Sequence, residues 1–182
     1  MPIPLDPVKR EKILNSAIEL FVERGYHETT TLAISQRINM SCSRMYTYFE
    51  DKEHLLVEAV RRMKDEHTAL STELASESAG LDDGQFIELF YDTQAKIRHR
   101  VRFIMVCILT PGLANLFTGM DFDFSNVFLP YLKGWQEDLA ADTALALASI
   151  AAGYFFTGNA DGAKSSSLSI LKNARLSLGN PQ

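Results

Sequence analysis

Residues 29–56 read TTTLAISQRINMSCSRMYTYFEDKEHLL: two short helical segments around a tight turn, then the start of a longer helix. Thr29 or Thr30 offers a side-chain oxygen to cap the first segment. Ile34 and Ile38 then lie one turn apart on its inner face. Asn39-Met40-Ser41 supplies the turn. Asn tolerates the left-handed conformation, Met40 plugs the angle between helices, and Ser41 caps the next segment. Met45 and Phe49 point inward from that segment. Asp51 caps a further helix whose inner face is Leu55, Leu56, Ala59, Val60 and Met63.

Upstream, Asp6-Pro7 has the layout of a helix start, with Pro where its missing N–H costs nothing. Ile13, Leu14, Ala17, Ile18 and Phe21 repeat at helical spacing up to Gly25, which stops the helix. The first 64 residues therefore predict a compact module of short helices. Downstream, the helix from Asp51 is expected to reach about Glu77, and SESAGLDDG (76–84) reads as a loop. A long helical pattern runs from Phe86 to Leu109 and ends at Pro111-Gly112. A short apolar piece (113–118), an aromatic-rich helix around Phe124–Leu139, a helix from Asp142 to Thr157 and a last one over 160–178 complete the chain. No segment alternates as a strand, so the expectation is an all-α fold of about nine helices. It comprises a helix-turn-helix module over 1–50 and a helical bundle over 51–182.

The chain has 182 residues and a net charge of −5, unevenly spread. Residues 1–64 hold 10 Lys/Arg against 9 Asp/Glu, and the remainder 8 against 14. A polyanionic partner would thus depend on local placement of cations rather than on a global field. Cys42 and Cys107 are far apart and read as reduced thiols. His27, His54, His67 and His99 are scattered without ligand spacing, so no metal or other cofactor is expected. No run of 18 or more apolar residues proposes a membrane span, and the N-terminus lacks a signal-peptide layout, which predicts a cytoplasmic protein. No nucleophile–base pair, carboxylate pair or phosphate loop supports an enzyme.

A short second helix after such a turn is the element that enters a DNA major groove with its N-terminal residues at base edges. Here those residues are Ser41, Cys42, Ser43 and Arg44. Arg44 can donate bidentately to guanine O6 and N7, while Ser43 discriminates little. Thr30, Ser41, Tyr46 and Tyr48 can donate to phosphates and fix register, and Thr47 lies within the same segment. Lys52 stands in the first turn of its helix, where a cation opposes the helix dipole; a phosphate against that helix end reverses the sign. A solvated lysine is the alternative reading.

With these residues in view, positions 8–64 resemble the DNA-binding domain of the tetracycline repressor (TetR) family of transcriptional regulators. The resemblance rests on Ile13-Leu14 through Phe21, Gly25-Tyr26, Thr29-Thr30, Ile34 and Ser41, and on Tyr46-x-Tyr48-Phe49-x-x-Lys52-x-x-Leu55. It covers about a third of the chain. It implies that Tyr46 and Lys52 contact phosphates, that Ser43 and Arg44 face bases, and that Thr31 and Leu32 approach the DNA. Asn39 replaces the glycine usual in the family's turn; Cys42 and Ser43 also depart from its usual residues. The target sequence is therefore not implied.

The resemblance further implies a C-terminal domain that binds a small effector and dimerises through its last two helices. For the effector, an apolar wall of Phe86, Phe90, Phe103, Leu109, Leu113, Phe117, Phe128, Tyr131 and Trp135 suits a flat or greasy molecule. Plain core packing accounts for most of these residue by residue. For the dimer, Ala144, Ala148 and Ala152 with Phe155, and Ile170, Ala174 and Leu178, would form half of an intermolecular four-helix bundle. The expected partners are thus double-stranded DNA with a near-palindromic operator, a small-molecule effector and a second copy. The expected function is a ligand-responsive regulator, a repressor in most such proteins. A helical protein-interaction module retaining an inherited helix-turn-helix is the alternative.

Overall fold

The computed structural model describes residues 5–122 and 124–178. Among them are eight α-helices and no strand: α1 Pro7–Arg24, α2 Thr31–Arg37, α3 Cys42–Met45, α4 Lys52–Glu77, α5 Asp83–Leu109, α6 Pro111–Ala114, α7 Glu137–Thr157 and α8 Ala160–Leu178. Two 3-10 turns, Asn115–Phe117 and Phe124–Val127, accompany them. The aromatic-rich helix expected around Phe124–Leu139 does not form. Its start is the second 3-10 turn, and the chain then winds through turns to Gly134, which takes φ 94°. Pro130 within that run has no N–H for a helix ladder, and Gly134 takes a conformation that ends one. The next helix starts at Glu137, ahead of Asp142, because Glu137 and Asp138 supply the acidic first turn that the helix dipole favours.

The chain divides into two compact units. The first holds residues up to Asp65 together with His99–Met120; the second holds Glu66–Arg98 together with the chain from Asp121.

In the first unit, Asp6 caps α1 by accepting from the Val8 amide at 2.9 Å, with Pro7 at the first helical position. Gly25 ends α1 at φ 82°. Ile13, Ala17 and Phe21 of α1 are wholly buried with Ile34, Leu55, Leu56, Ala59 and Val60. Each Ile, Leu, Val or Phe side chain among these contributes about 1.5–3 kcal/mol on leaving water. Thr29 is not a cap. It is buried, and its hydroxyl donates to the carbonyls of Leu20 (3.0 Å) and Gly25 (2.8 Å), tying the loop back to the end of α1.

In the second unit an aromatic cluster forms the core. Phe86 stacks on Tyr131 at 3.7 Å, and Phe90 meets Phe128 at 4.7 Å and Tyr91 at 5.0 Å. The Tyr91 hydroxyl bonds the buried Ser167 at 3.0 Å. Arg175 of α8 grips Asp83 at the start of α5 through two nitrogens, at 2.6 and 2.7 Å, and Tyr131 donates to the same carboxylate at 2.6 Å. The Arg175 guanidinium thereby holds the Asp83 carboxyl below its usual pKa. Arg98 donates to the carbonyls of Tyr154 and Phe156 and so caps the end of α7. Helix α7 is long and apolar enough, by length and composition alone, to cross a membrane, yet only 33% of its most apolar 18-residue stretch is buried within the chain.

His67 on α4 is buried edge-on to Phe124 (5.1 Å), and burial lowers its pKa to about 4. The unfolded chain binds this proton near pH 6.5, the folded chain only near 4, so stability contributed by neutral His67 is present above 6.5 and lost as pH falls towards 4. The expected loss is about 3 kcal/mol across that window. Urea titrations of the wild type and of His67→Leu at both pH limits measure it. The variant should lose less stability than the wild type by that amount, and parallel losses would refute the assignment.

Candidate DNA-binding surface

Thr30 caps α2 by accepting from the Ala33 amide at 3.1 Å. Asn39 sits at φ 53°, a left-handed geometry that Asn tolerates in place of Gly. Ser41 then caps α3, accepting from the Arg44 amide at 3.3 Å. Asp51 caps α4 by accepting from the His54 amide at 2.6 Å. Each bond of the helix-turn-helix is thus local, and Met45 and Phe49 anchor its second helix in the core. That helix is a single turn, extended by non-helical turns through Tyr48.

The eleven side chains expected to meet DNA divide by what they already hold. Ser43, Arg44, Tyr46, Thr47 and Leu32 are exposed. Among the described residues the Arg44 guanidinium has no ion pair. The Tyr46 hydroxyl donates to Thr31 Oγ1 at 3.2 Å, bracing α3 against the start of α2. The Thr47 hydroxyl donates to the Arg44 carbonyl at 2.7 Å. Thr30 and Ser41 spend their hydroxyls on caps. Tyr48 is half-buried, and the Cys42 thiol lies 3.1 Å from the Ser35 hydroxyl, which commits it to the α2–α3 contact. Of the side chains expected to face bases, Ser43 and Arg44 are thus exposed, with Leu32 of α2 as an exposed apolar side chain on the same module.

Lys52 is not simply solvated. Its ammonium lies over the ring of Tyr26, 4.1 Å from the centroid, and burial holds its pKa below the usual lysine value while Glu28 opposes that shift. A cation on an aromatic face gains about 0.5–1 kcal/mol at an exposed site. This fixes the cation at the first turn of α4, against the preference of the dipole, where a phosphate would add to it.

Sequence reasoning missed two cations. Lys9 and Lys12 of α1 line a hollow with Ile38, Asn39, Met40, Ser41 and Arg44. Lys9 pairs with Asp6 at 3.3 Å. The available signal was the Lys9-Arg10-x-Lys12 run, whose outer members lie three residues apart on one helix face.

This geometry has known counterparts. Residues 13–59 match the family model described as bacterial regulatory proteins, tetR family. Over 57 residues the chain is 35% identical to the HTH-type transcriptional regulator HbdR of Aromatoleum sp. (strain CIB). That match spans 31% of this chain and 25% of the relative's length. The helix-turn-helix module is thus similar to that of the tetR family. The fold extends the likeness beyond the module. A transcriptional regulator of the TerR/AcrR family from Aquifex aeolicus VF5 superposes with TM-score 0.65 at 20% identity, covering 90% of this chain and 97% of that one. The multidrug binding protein EbrR complexed with malachite green superposes with TM-score 0.63 at 12% identity, covering 89% and 97%.

The nine expected effector residues do not share one cavity. Phe86, Phe90 and Phe128 are fully buried against one another. Tyr131 and Trp135 line a recess of about 570 Å³ beside Arg175, whose guanidinium lies 5.1 Å from the Trp135 ring. Phe103 and Leu113 line a separate cleft in the first unit. Phe117 is buried, and Leu109 is 67% exposed.

The expected dimer residues also divide. Ala144 and Phe155 of α7 and Ala174 of α8 are buried within the chain, where the two helices pack on each other. Ala148, Ala152 and Ile170 are half-buried, and Leu178 is exposed. Leu145 (62%) and Phe156 (39%) of α7 and Leu176 (63%) of α8 are exposed apolar side chains outside the expected set. Leu145, Ser149, Ala152 and Phe156 recur at helical spacing, which the sequence carried but the alanine pattern obscured.

Proposed function

We propose that the protein is a dimeric, ligand-responsive DNA-binding regulator of the cytoplasm, a repressor released from its operator by a small, largely apolar molecule. Residues 1–50 read DNA, and residues 51–182 hold the effector and the dimer contact. The observation that carries this reading is the pairing of an exposed, unpaired Arg44 on the capped second helix with Lys52 fixed over Tyr26. One supplies a base reader and the other a phosphate clamp. The apolar stripe through Leu145 and Phe156, left uncovered by the chain, supports a second copy as partner. EbrR with malachite green is a precedent for an aromatic small molecule on this fold.

Gln94 supports an effector within the second unit. It is fully buried, and neither its amide nitrogen nor its oxygen has a hydrogen-bond partner. An unmatched buried amide costs about 1–3 kcal/mol, which a ligand carrying a donor and an acceptor would recover. Effector binding then favours an arrangement in which the paired reading helices no longer match successive grooves.

Fluorescence anisotropy with the DNA upstream of the protein's own gene, over a salt series, tests the reading. Specific binding with a steep salt slope is expected. Lys52→Ala should reduce that slope by about 1 for each phosphate no longer neutralised, roughly 2 for a dimer, with little change in sequence preference. Salt-insensitive binding, or none, would place the chain among protein-interaction modules.

A further inference from the structure

The first unit carries a cleft of about 530 Å³, walled by the end of α1, the 25–28 loop and the last turns of α5. Its volume falls within the range of small-molecule sites. Its floor is apolar, formed by the buried Phe103, Cys107 and Leu113. Burial pushes the Cys107 thiol up to about 12, so it lines the floor as a neutral group. The rim is cationic. Arg24 and Arg102 are exposed and make no ion pair among the described residues, and His27 and His99 stand beside them. Of the two acids at the rim, Glu23 pairs with Arg37 at 3.2 Å, and exposed Glu28 lies in the field of Lys52. An apolar floor under unpaired guanidinium groups is complementary to an amphiphile with one anionic end.

We propose that this cleft binds a small aromatic or short-chain carboxylate, with Arg102 and Arg24 taking the carboxylate and Phe103 the apolar body. The cleft is also wired to the phosphate clamp. Phe103 stacks on Phe21 (6.1 Å, 4° between planes), Phe21 meets Tyr26 at 5.8 Å, and Tyr26 carries the Lys52 ammonium on its face. A ligand seated against Phe103 and Tyr26 biases the ring under Lys52 and adds negative charge near the clamp. DNA affinity therefore falls, and by reciprocity operator DNA weakens the ligand by the same factor. This consequence rests on the DNA-binding reading above; the site itself does not.

Titration calorimetry without DNA tests the site, using 4-phenylbutyrate and its neutral isostere 4-phenylbutanamide against the full chain. The carboxylate should bind one site per chain, and the amide roughly tenfold more weakly. Arg102→Ala should weaken the carboxylate roughly tenfold and leave the amide unchanged. Val106→Trp, on the exposed lip, should abolish both; circular dichroism verifies that both surface variants fold. Equal binding of acid and amide, indifference to Arg102→Ala, or no saturable binding of the acid overturns the site. Anisotropy at saturating ligand then reads the coupling. Ligand that binds without lowering operator affinity overturns the link to Lys52. A ligand-free protein that binds no DNA overturns the regulator reading, while calorimetry still decides the cleft.

Discussion

Arg44→Ala is expected to lower operator affinity by about 2–6 kcal/mol in a dimer, since one bidentate guanine contact is worth roughly 1–3 kcal/mol in each half-site. That is a loss of about thirty-fold to twenty-thousand-fold. The fold should be untouched, because Arg44 is exposed and only its backbone amide serves the Ser41 cap. Discrimination at the guanine position should relax with the affinity, which separates a base reader from a phosphate contact. Anisotropy against operator variants substituted at each position measures both. Equal losses on every sequence would make Arg44 a backbone contact instead.

Leu145→Glu is expected to give a folded monomer with operator affinity reduced by about 100-fold or more, the gain that linking two half-site readers supplies. Leu145 is 62% exposed in the chain, so the substitution should move stability by no more than about 0.5 kcal/mol. In an isologous interface, however, the same carboxylate enters twice across an apolar contact. Sedimentation reads the mass and anisotropy the affinity. A Leu145→Glu protein that remains a dimer with full affinity would move the interface off this face of α7.

What the chain discloses by itself follows from how local each determinant is. Asp6-Pro7, Thr30, Asn39, Ser41 and Asp51 act on amides within three residues or on their own φ, so the helix-turn-helix was legible residue by residue. The 124–139 segment was not, because its apolar spacing outweighed the breaking effect of Pro130 and Gly134. Site assignment failed to resolve wherever residue type left two destinations. Phe86 and Phe103 are alike in sequence, yet one is sealed in an aromatic core and the other floors an open cleft. Near neighbours on α5 likewise split: Arg98 caps α7, whereas His99 and Arg102 face the cleft. Lys52 was legible as an anomaly, and only the structure supplied its aromatic partner.

Selection of bound sequences from a random DNA pool by the purified chain is the decisive measurement for Arg44 as a base reader in a two-fold assembly. The expected result is a symmetric consensus whose half-site centres lie about one DNA turn (~34 Å) apart or a simple multiple of it, with a guanine preference that Arg44→Ala erases. An unenriched pool, or an asymmetric consensus indifferent to Arg44→Ala, would refute it.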